Sequence, residues 1–281
     1  MKKVKAGLIA AITATVLAAC GSSETKSEEK GETWREIQEE GEIVVATPGT
    51  LYPASYYPED SDKLTGYDVE VMREIGKRLD LEIVFEEMDF DSMFASLTSG
   101  RVDVAPAGMR EEIKDKYSYS EPYKYSYATM IVREEDVESY DSLEDLEGKV
   151  AGGAATTVYS DIAEKFGAEL KTYGNVTNDV YLRDVDVGRT DVIINDYYLQ
   201  RLALESLPQL DVTMHPDLKF HTNNQRAVIE EGAHTFRDKI DGALDEMRKD
   251  GTLTELSKEF FGGEDVSQKP EEDIREIEGI E

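Results

Sequence analysis

The side chains able to do chemistry are few in this chain, and their spacing is not that of a catalytic site. The three histidines, His215, His221 and His234, all fall late in the sequence. No hydroxyl or thiol stands in a nucleophile motif. Acids and histidines do not recur at metal-ligand spacing, so neither a metal nor a cofactor is expected. Catalysis would require a carboxylate or imidazole poised beside a bound carbon. The sequence offers instead a pair of hydroxyls in front of a helical pattern, Ala155-Thr156-Thr157 before Val158. Free amides at a helix N-terminus attract an anion, and a threonine hydroxyl adds a donor. The same threonines would serve equally as an ordinary helix cap. Tyr52, Tyr56 and Tyr57 could cage a cation with their π faces or pack within a loop.

Cys20 is the sole cysteine, so the fold must rest on core burial rather than on a disulfide. Its surroundings give it another use. Lys2, Lys3 and Lys5 lead into an uncharged apolar run from Ala6 to Ala19. That run is too short to span a bilayer as a helix and reads as a signal peptide over residues 1–19. It ends Leu17-Ala18-Ala19-Cys20, which resembles the lipobox of bacterial lipoproteins. The resemblance implies that Cys20 carries lipid and anchors the chain on the outer face of the cytoplasmic membrane. Residues 20–33 then form the lipidated start and a Ser-, Glu- and Lys-rich tether.

The formal charge is −30, and loss of three leader lysines with no acid takes it to −33. Such a chain repels phosphate backbones and anionic lipid, which excludes nucleic acid and membrane surfaces as partners. The acidity fits a salt-rich habitat or plain solubility.

The elements that must position the candidate residues follow a repeated plan. Glu42 to Thr47 is β-branched and strand-like. Asp68 to Leu79 places Val69, Met72, Ile75 and Leu79 on one helical face. Leu81, Ile83 and Phe85 alternate as a strand, Asp91 to Ser99 is a short helix, and Val102 to Ala105 is a strand. The βαβαβ pattern recurs with strands at Lys149 to Gly152, Glu169 to Tyr173 and Asp191 to Ile194. Helices at Val158 to Phe166 and Asp179 to Val187 lie between them. Gly100-Arg101-Val102-Asp103-Val104 reappears as Gly188-Arg189-Thr190-Asp191-Val192 at the same station of the second unit. Two α/β lobes of similar build are therefore expected. Apolar stretches at Thr129 to Arg133 and Ala227 to Ile229 mark two crossings between them. Ligands of such sheets bind beyond the carboxyl ends of the strands. The expected boundaries are 34–126 plus 225–263 for lobe one and 127–224 for lobe two. Residues 264–281 are expected as an acidic, frayed or loosely helical tail.

A set of short motifs, in order, carries a family resemblance. They are Leu64-Thr65-Gly66-Tyr67-Asp68-Val69-Glu70-Val71, Asp89-Phe90-Asp91-Ser92-Met93, Ser99-Gly100-Arg101-Val102-Asp103, Ala107-Gly108-Met109 and Tyr119-Ser120-Glu121-Pro122-Tyr123. Ser142 to Val150, Asp250-Gly251-Thr252-Leu253 and Phe260-Phe261-Gly262 complete the set. Together they resemble the family 3 extracellular solute-binding proteins of amino-acid ABC transporters. The resemblance implies a type II periplasmic-binding-protein-like α/β fold, each lobe a mostly parallel sheet flanked by helices, with two crossover segments as a hinge.

It further implies a monomer that closes on a small zwitterionic solute and meets an ABC permease in the membrane. In its terms Tyr52 and Phe90 wall the ligand side chain, and the backbone at Ala107, Gly108 and Met109 meets the ligand's polar ends. Thr156 and Thr157 bind its carboxylate, and Asp196 receives its ammonium or, in the bland alternative, caps the following helix. Ile113 stands where the family places a carboxylate-clamping arginine, and Arg110 could reach the same group from the other side. Pro48 replaces an acidic position that reads basic ligands. Other features lean to the cystine and sulfur-amino-acid branch. A betaine or ectoine, a dehydratase-like enzyme and a sensor on the same fold remain as alternatives.

Overall fold

The computed structural model describes residues 32–109, 113–271 and 274–280; the expected leader, Cys20, most of the tether and Arg110 lie outside them. The first lobe opens with α1 (Glu32–Glu40), β1 (Glu42–Thr47), α2 (Tyr67–Leu79) and β2 (Glu82–Glu87), followed by α3 (Phe90–Thr98) and β3 (Ala105–Ala107). β1 and β2 pair in parallel, Val44 opposite Val84. The apolar face of α2 forms as its spacing predicts, with Val69, Met72 and Ile75 fully buried. Met72 and Ile75 join Ile43, Val45, Phe236, Ile240 and Leu244 in one apolar core. α1 adds Ile37 to that core and lays Trp34 on Phe236, ring centroids 6.1 Å apart.

The second lobe is reached through β4 (Tyr117–Tyr119) and β5 (Lys124–Arg133). It contains β6 (Val150–Gly153), α4 (Val158–Lys165), β7 (Glu169–Thr172), α5 (Asn178–Asp186), β8 (Val192–Asp196) and α6 (Tyr197–Ser206). The 19-residue β9 (Val212–Glu230) then returns the chain to α7 (His234–Asp250) and α8 (Thr252–Phe260) on the first lobe. The sheets are more mixed than expected. β6 runs parallel to β7 and β8, but β5 is antiparallel to both β8 and β9, and β3 and β4 are antiparallel to β9.

The two Gly-Arg-x-Asp-Val segments do the same job in the two lobes. Gly100 and Gly188 end α3 and α5 in the left-handed region, at φ 68° and 71°. The aspartate that follows then docks on the first strand of its unit. Asp103 Oδ2 accepts from Val44 N at 2.7 Å, and Asp191 Oδ2 accepts from Val150 N at 2.8 Å. Each aspartate also donates its own N–H back, to Val44 O and Val150 O, both at 2.8 Å. This docking accompanies one departure from expectation. The strand expected over Val102 to Ala105 makes a single bridge with β1, Val104 opposite Val45, where Asp103 has already taken the Val44 N–H. The paired segment begins at Ala105 and joins β9 instead.

β5 and β9 form the connection between lobes. Lys124 pairs with Gln225, Tyr125 with Asn224 and Ser126 with Asn223, and the ladder is interrupted between Tyr127 and Ala128. A third passage was not expected. Over its described residues the acidic tail forms no helix and packs against both lobes. Val266 sits in the first-lobe core and its carbonyl accepts from Tyr125 N at 2.7 Å. Arg275 pairs with Phe220, and Ile277 and Ile280 lie in or against the second-lobe core. The sequence of the tail hides this because its apolar residues are few and isolated among acids, and Ile274, Ile277 and Ile280 at every third position match neither a strand nor a full helical face. His221 is buried beneath the tail, with Nδ1 3.3 Å from Glu276.

Candidate ligand-binding cleft

A cleft lies between the lobes, beyond the carboxyl ends of β1, β6 and β8. The loop after β1 contributes Pro48, Thr50 and Leu51, and the N-terminus of α3 contributes Asp89, Phe90 and Asp91. Gly108 and Met109 follow β3. From the second lobe come Thr156, Thr157 and Tyr159 around the start of α4, Asn175 before α5, and Asn195 and Asp196 at the end of β8. The floor is the crossing itself, with Lys124, Asn223 and Gln225.

Most of the expected site residues meet here. Phe90, Gly108, Met109, Thr156, Thr157 and Asp196 all line the cleft. Ala107 is fully buried in β3 and reaches the cleft only through its neighbours. Tyr52 does not line it. Its ring turns outward against Tyr56, centroids 4.8 Å apart, and it is 39% exposed. Leu51 and Ala54 take the wall it was expected to form. Tyr57 donates to Glu87, and the three tyrosines line a neighbouring pocket with Thr177 and Asp179 rather than this cleft. Arg110 lies outside the described residues. The three histidines are absent from the described lining.

Thr157 caps α4, accepting from Ser160 N at 3.2 Å, and so fills its local role while facing the cleft. Thr156 reaches across the opening and donates to Asp91 of the first lobe. On the other side Asn175 donates to Pro48 O at 3.0 Å and accepts from Thr50 Oγ1 at 2.7 Å. The lobes are thus in contact on both sides of the cleft, which is a closed arrangement.

The charges sit on the floor. Asp196 is 2% exposed and caps α6 through Leu199 N at 3.0 Å. Its other oxygen accepts from the Lys124 ammonium, which is also buried. Asp68, at the start of α2, accepts from Tyr123 Oη at 3.1 Å and from Gln225 Nε2 at 3.2 Å. Burial pushes the Asp68 carboxyl up to about 6, while the Lys124 ammonium and these two hydrogen bonds draw it back. Burial, and then the charge of Asp196, hold the Tyr159 hydroxyl well above its usual value. Tyr159 accepts a bond from Asn223 Nδ2 at 2.7 Å. Among the described residues, no His/Cys/Asp/Glu group could hold a metal ion.

Sequence reasoning missed Lys124, Asn175 and Gln225. Lys124 had a readable signal: it is the one charge between Tyr123 and Ile131, a run otherwise fit for a buried strand. Asn175 and Gln225 carry no such mark.

The family model for bacterial extracellular solute-binding proteins, family 3, matches residues 43–263. The chain belongs to this family. It is the extracytoplasmic substrate-binding component of an amino-acid ABC transporter, a class that works with a membrane permease. It is 50% identical to the probable ABC transporter extracellular-binding protein YckB of Bacillus subtilis, over 94% of this chain and 93% of that protein. The crystal structure of YckB superposes with a TM-score of 0.70, covering 87% of this chain and 99% of that one. The L-cystine-binding protein TcyA of Bacillus subtilis is 34% identical over 95% of this chain and all of that protein. The family match stops at Gly263, so the tail that passes between the lobes lies beyond it.

Proposed function

We propose that this protein captures a polar amino acid, with L-cystine or a related sulfur amino acid foremost, and releases it unchanged to the permease. The observation that carries this reading is the convergence at one closed cleft of an aromatic wall, a capped helix N-terminus and a buried carboxylate. Phe90 supplies the wall, Thr157 with α4 the anion end, and Asp68 with Asp196 the cationic end. A zwitterion has a place for each of its parts there. The full-length similarity to an L-cystine-binding protein supports the choice of ligand. Tyr52, Tyr56 and Tyr57, the tyrosines considered for a betaine cage, line a neighbouring pocket rather than this cleft.

In this reading the protein is a monomer held to the outer face of the membrane by lipid on Cys20. Lobe one receives the solute and lobe two rotates about β5 and β9 to cover it, so binding shifts the population toward the closed form. A ligand that binds only the folded, closed chain raises its melting temperature by mass action. A thermal scan of the twenty amino acids and L-cystine at 1 mM is expected to give a rise of several degrees for L-cystine or a small polar amino acid, with the solute recovered intact. A chain whose melting temperature none of them moves would sink the reading.

A further inference from the structure

The floor of the cleft holds one cation of the protein's own. Among the described residues that line the cleft, Lys124 is the single basic side chain, beside the carboxylates of Asp68, Asp89, Asp91 and Asp196. Two of those carboxylates have local tasks at the rim. Asp89 caps α3 through Ser92 N at 2.9 Å, and Asp91 accepts from Thr156. The other two are buried at the floor together with Lys124, which is 6% exposed. The lysine contacts Asp196 directly, and its ammonium lies 5.6 Å from the centre of the Phe261 ring. Its register partner Gln225 bonds Asp68. The floor therefore sums two negative charges and one positive.

We propose that Lys124 is a specificity-determining residue that occupies the seat of a ligand's cationic side chain, so that the cleft accepts solutes without net positive charge and rejects basic ones. The argument is one of charge in a place that water screens weakly. With Lys124 present, a single ligand ammonium brings the floor to neutrality. A ligand whose side chain ends in a cation with no anion of its own would have to place it beside the Lys124 ammonium, and like charges close together in a buried site repel strongly; the second ammonium of L-cystine comes with a second carboxylate and adds no net charge. The protein thereby excludes a competitor by an element that repels it, rather than by better contacts to the preferred ligand. Lys124 also starts β5, where the chain crosses between lobes.

The proposal rests on the reading of the cleft as an amino-acid site, and its test is separable from that reading. L-lysine, L-arginine and glycine are titrated by calorimetry into the full chain and into Lys124→Ala, which opens both room and charge at the floor. The unmodified protein is expected to show no binding of L-lysine or L-arginine at millimolar concentration. Lys124→Ala is expected to bind at least one of them at least tenfold more tightly than the parent, with no gain for glycine. Lys124→Gln keeps an amide donor for Asp196 and serves as the second variant should the alanine form not fold; a smaller gain of the same kind is expected. A folded variant of either kind with no gain for L-lysine or L-arginine would overturn the proposal. So would binding of either basic amino acid by the unmodified protein as tightly as any neutral one. Failure of every amino acid to bind the unmodified protein bears on the amino-acid reading alone, because the gain in the variant is read independently.

Discussion

Asp68 shows how one buried side chain ties the cleft to the stability of the fold. Its folded value of about 6 lies above the 3.8 of an unperturbed aspartate, because burial outweighs the pull of Lys124, Tyr123 and Gln225. Between those two values the folded chain keeps a proton that the unfolded chain has released. The contribution of Asp68 is therefore fully present below about pH 4 and is lost as the pH rises through about 6. Each pKa unit is worth about 1.4 kcal/mol, which sets a ceiling of about 3 kcal/mol on the effect. The stability difference between the parent and Asp68→Asn is expected to fall, in the direction of the variant, between pH 4.5 and pH 7. Urea unfolding at both pH values measures it, and a constant difference would mean that Asp68 does not titrate in this range. Asp68 was visible in the sequence as part of a family motif, yet nothing in the string of letters said that it would share a floor with Lys124 and Asp196, more than fifty and one hundred residues away. Phe90, Thr156, Thr157 and Asp196 were reached through the family resemblance, and the structure places each in the cleft lining, beside a helix start or a strand end. Tyr52 was reached the same way, but a loop side chain has no period to orient it, and its ring lies outside that lining.

At the scale of elements, the twice-used Gly-Arg-x-Asp-Val segment is where sequence and structure agree most closely. A left-handed glycine stops the helix, and a carboxylate then fixes the approach to the neighbouring strand. Asp191→Ala would leave Val150 N without its partner in a half-buried position. A loss of about 1–3 kcal/mol is expected in urea unfolding, of which Asp191→Asn should recover part through its remaining carbonyl. The helices and the first two strands were readable because burial on one face imposes a period. The direction of strand pairing was not. β5 and β9 are antiparallel insertions among parallel strands, and their placement depends on contacts between residues about one hundred positions apart. The side-chain capture of the Val44 N–H by Asp103 is equally invisible to a count of apolar positions.

The whole molecule is held closed on both sides of its cleft by polar contacts between the lobes. Asn175 makes two of them, to Pro48 and Thr50, and Thr156 makes another, to Asp91. A single hydrogen bond contributes about 0.5–1.5 kcal/mol, and these exposed ones belong at the lower end. Asn175→Ala is expected to shift the ligand-free population toward the open form by roughly five- to thirtyfold, since 1.4 kcal/mol is a factor of ten. Small-angle scattering would register this as a larger radius of gyration, and an unchanged profile would show that these bonds do not set the balance. The two ends of the described chain fall on opposite sides of that motion. α1 belongs to the first lobe through Trp34 and Ile37, whereas the tail finishes on the second through Ile277 and Ile280. A donor fluorophore fused ahead of α1 and an acceptor fused after the tail would each ride on a different lobe. The native chain order thus already has the layout of an optical sensor for the solute it binds, with no circular permutation required.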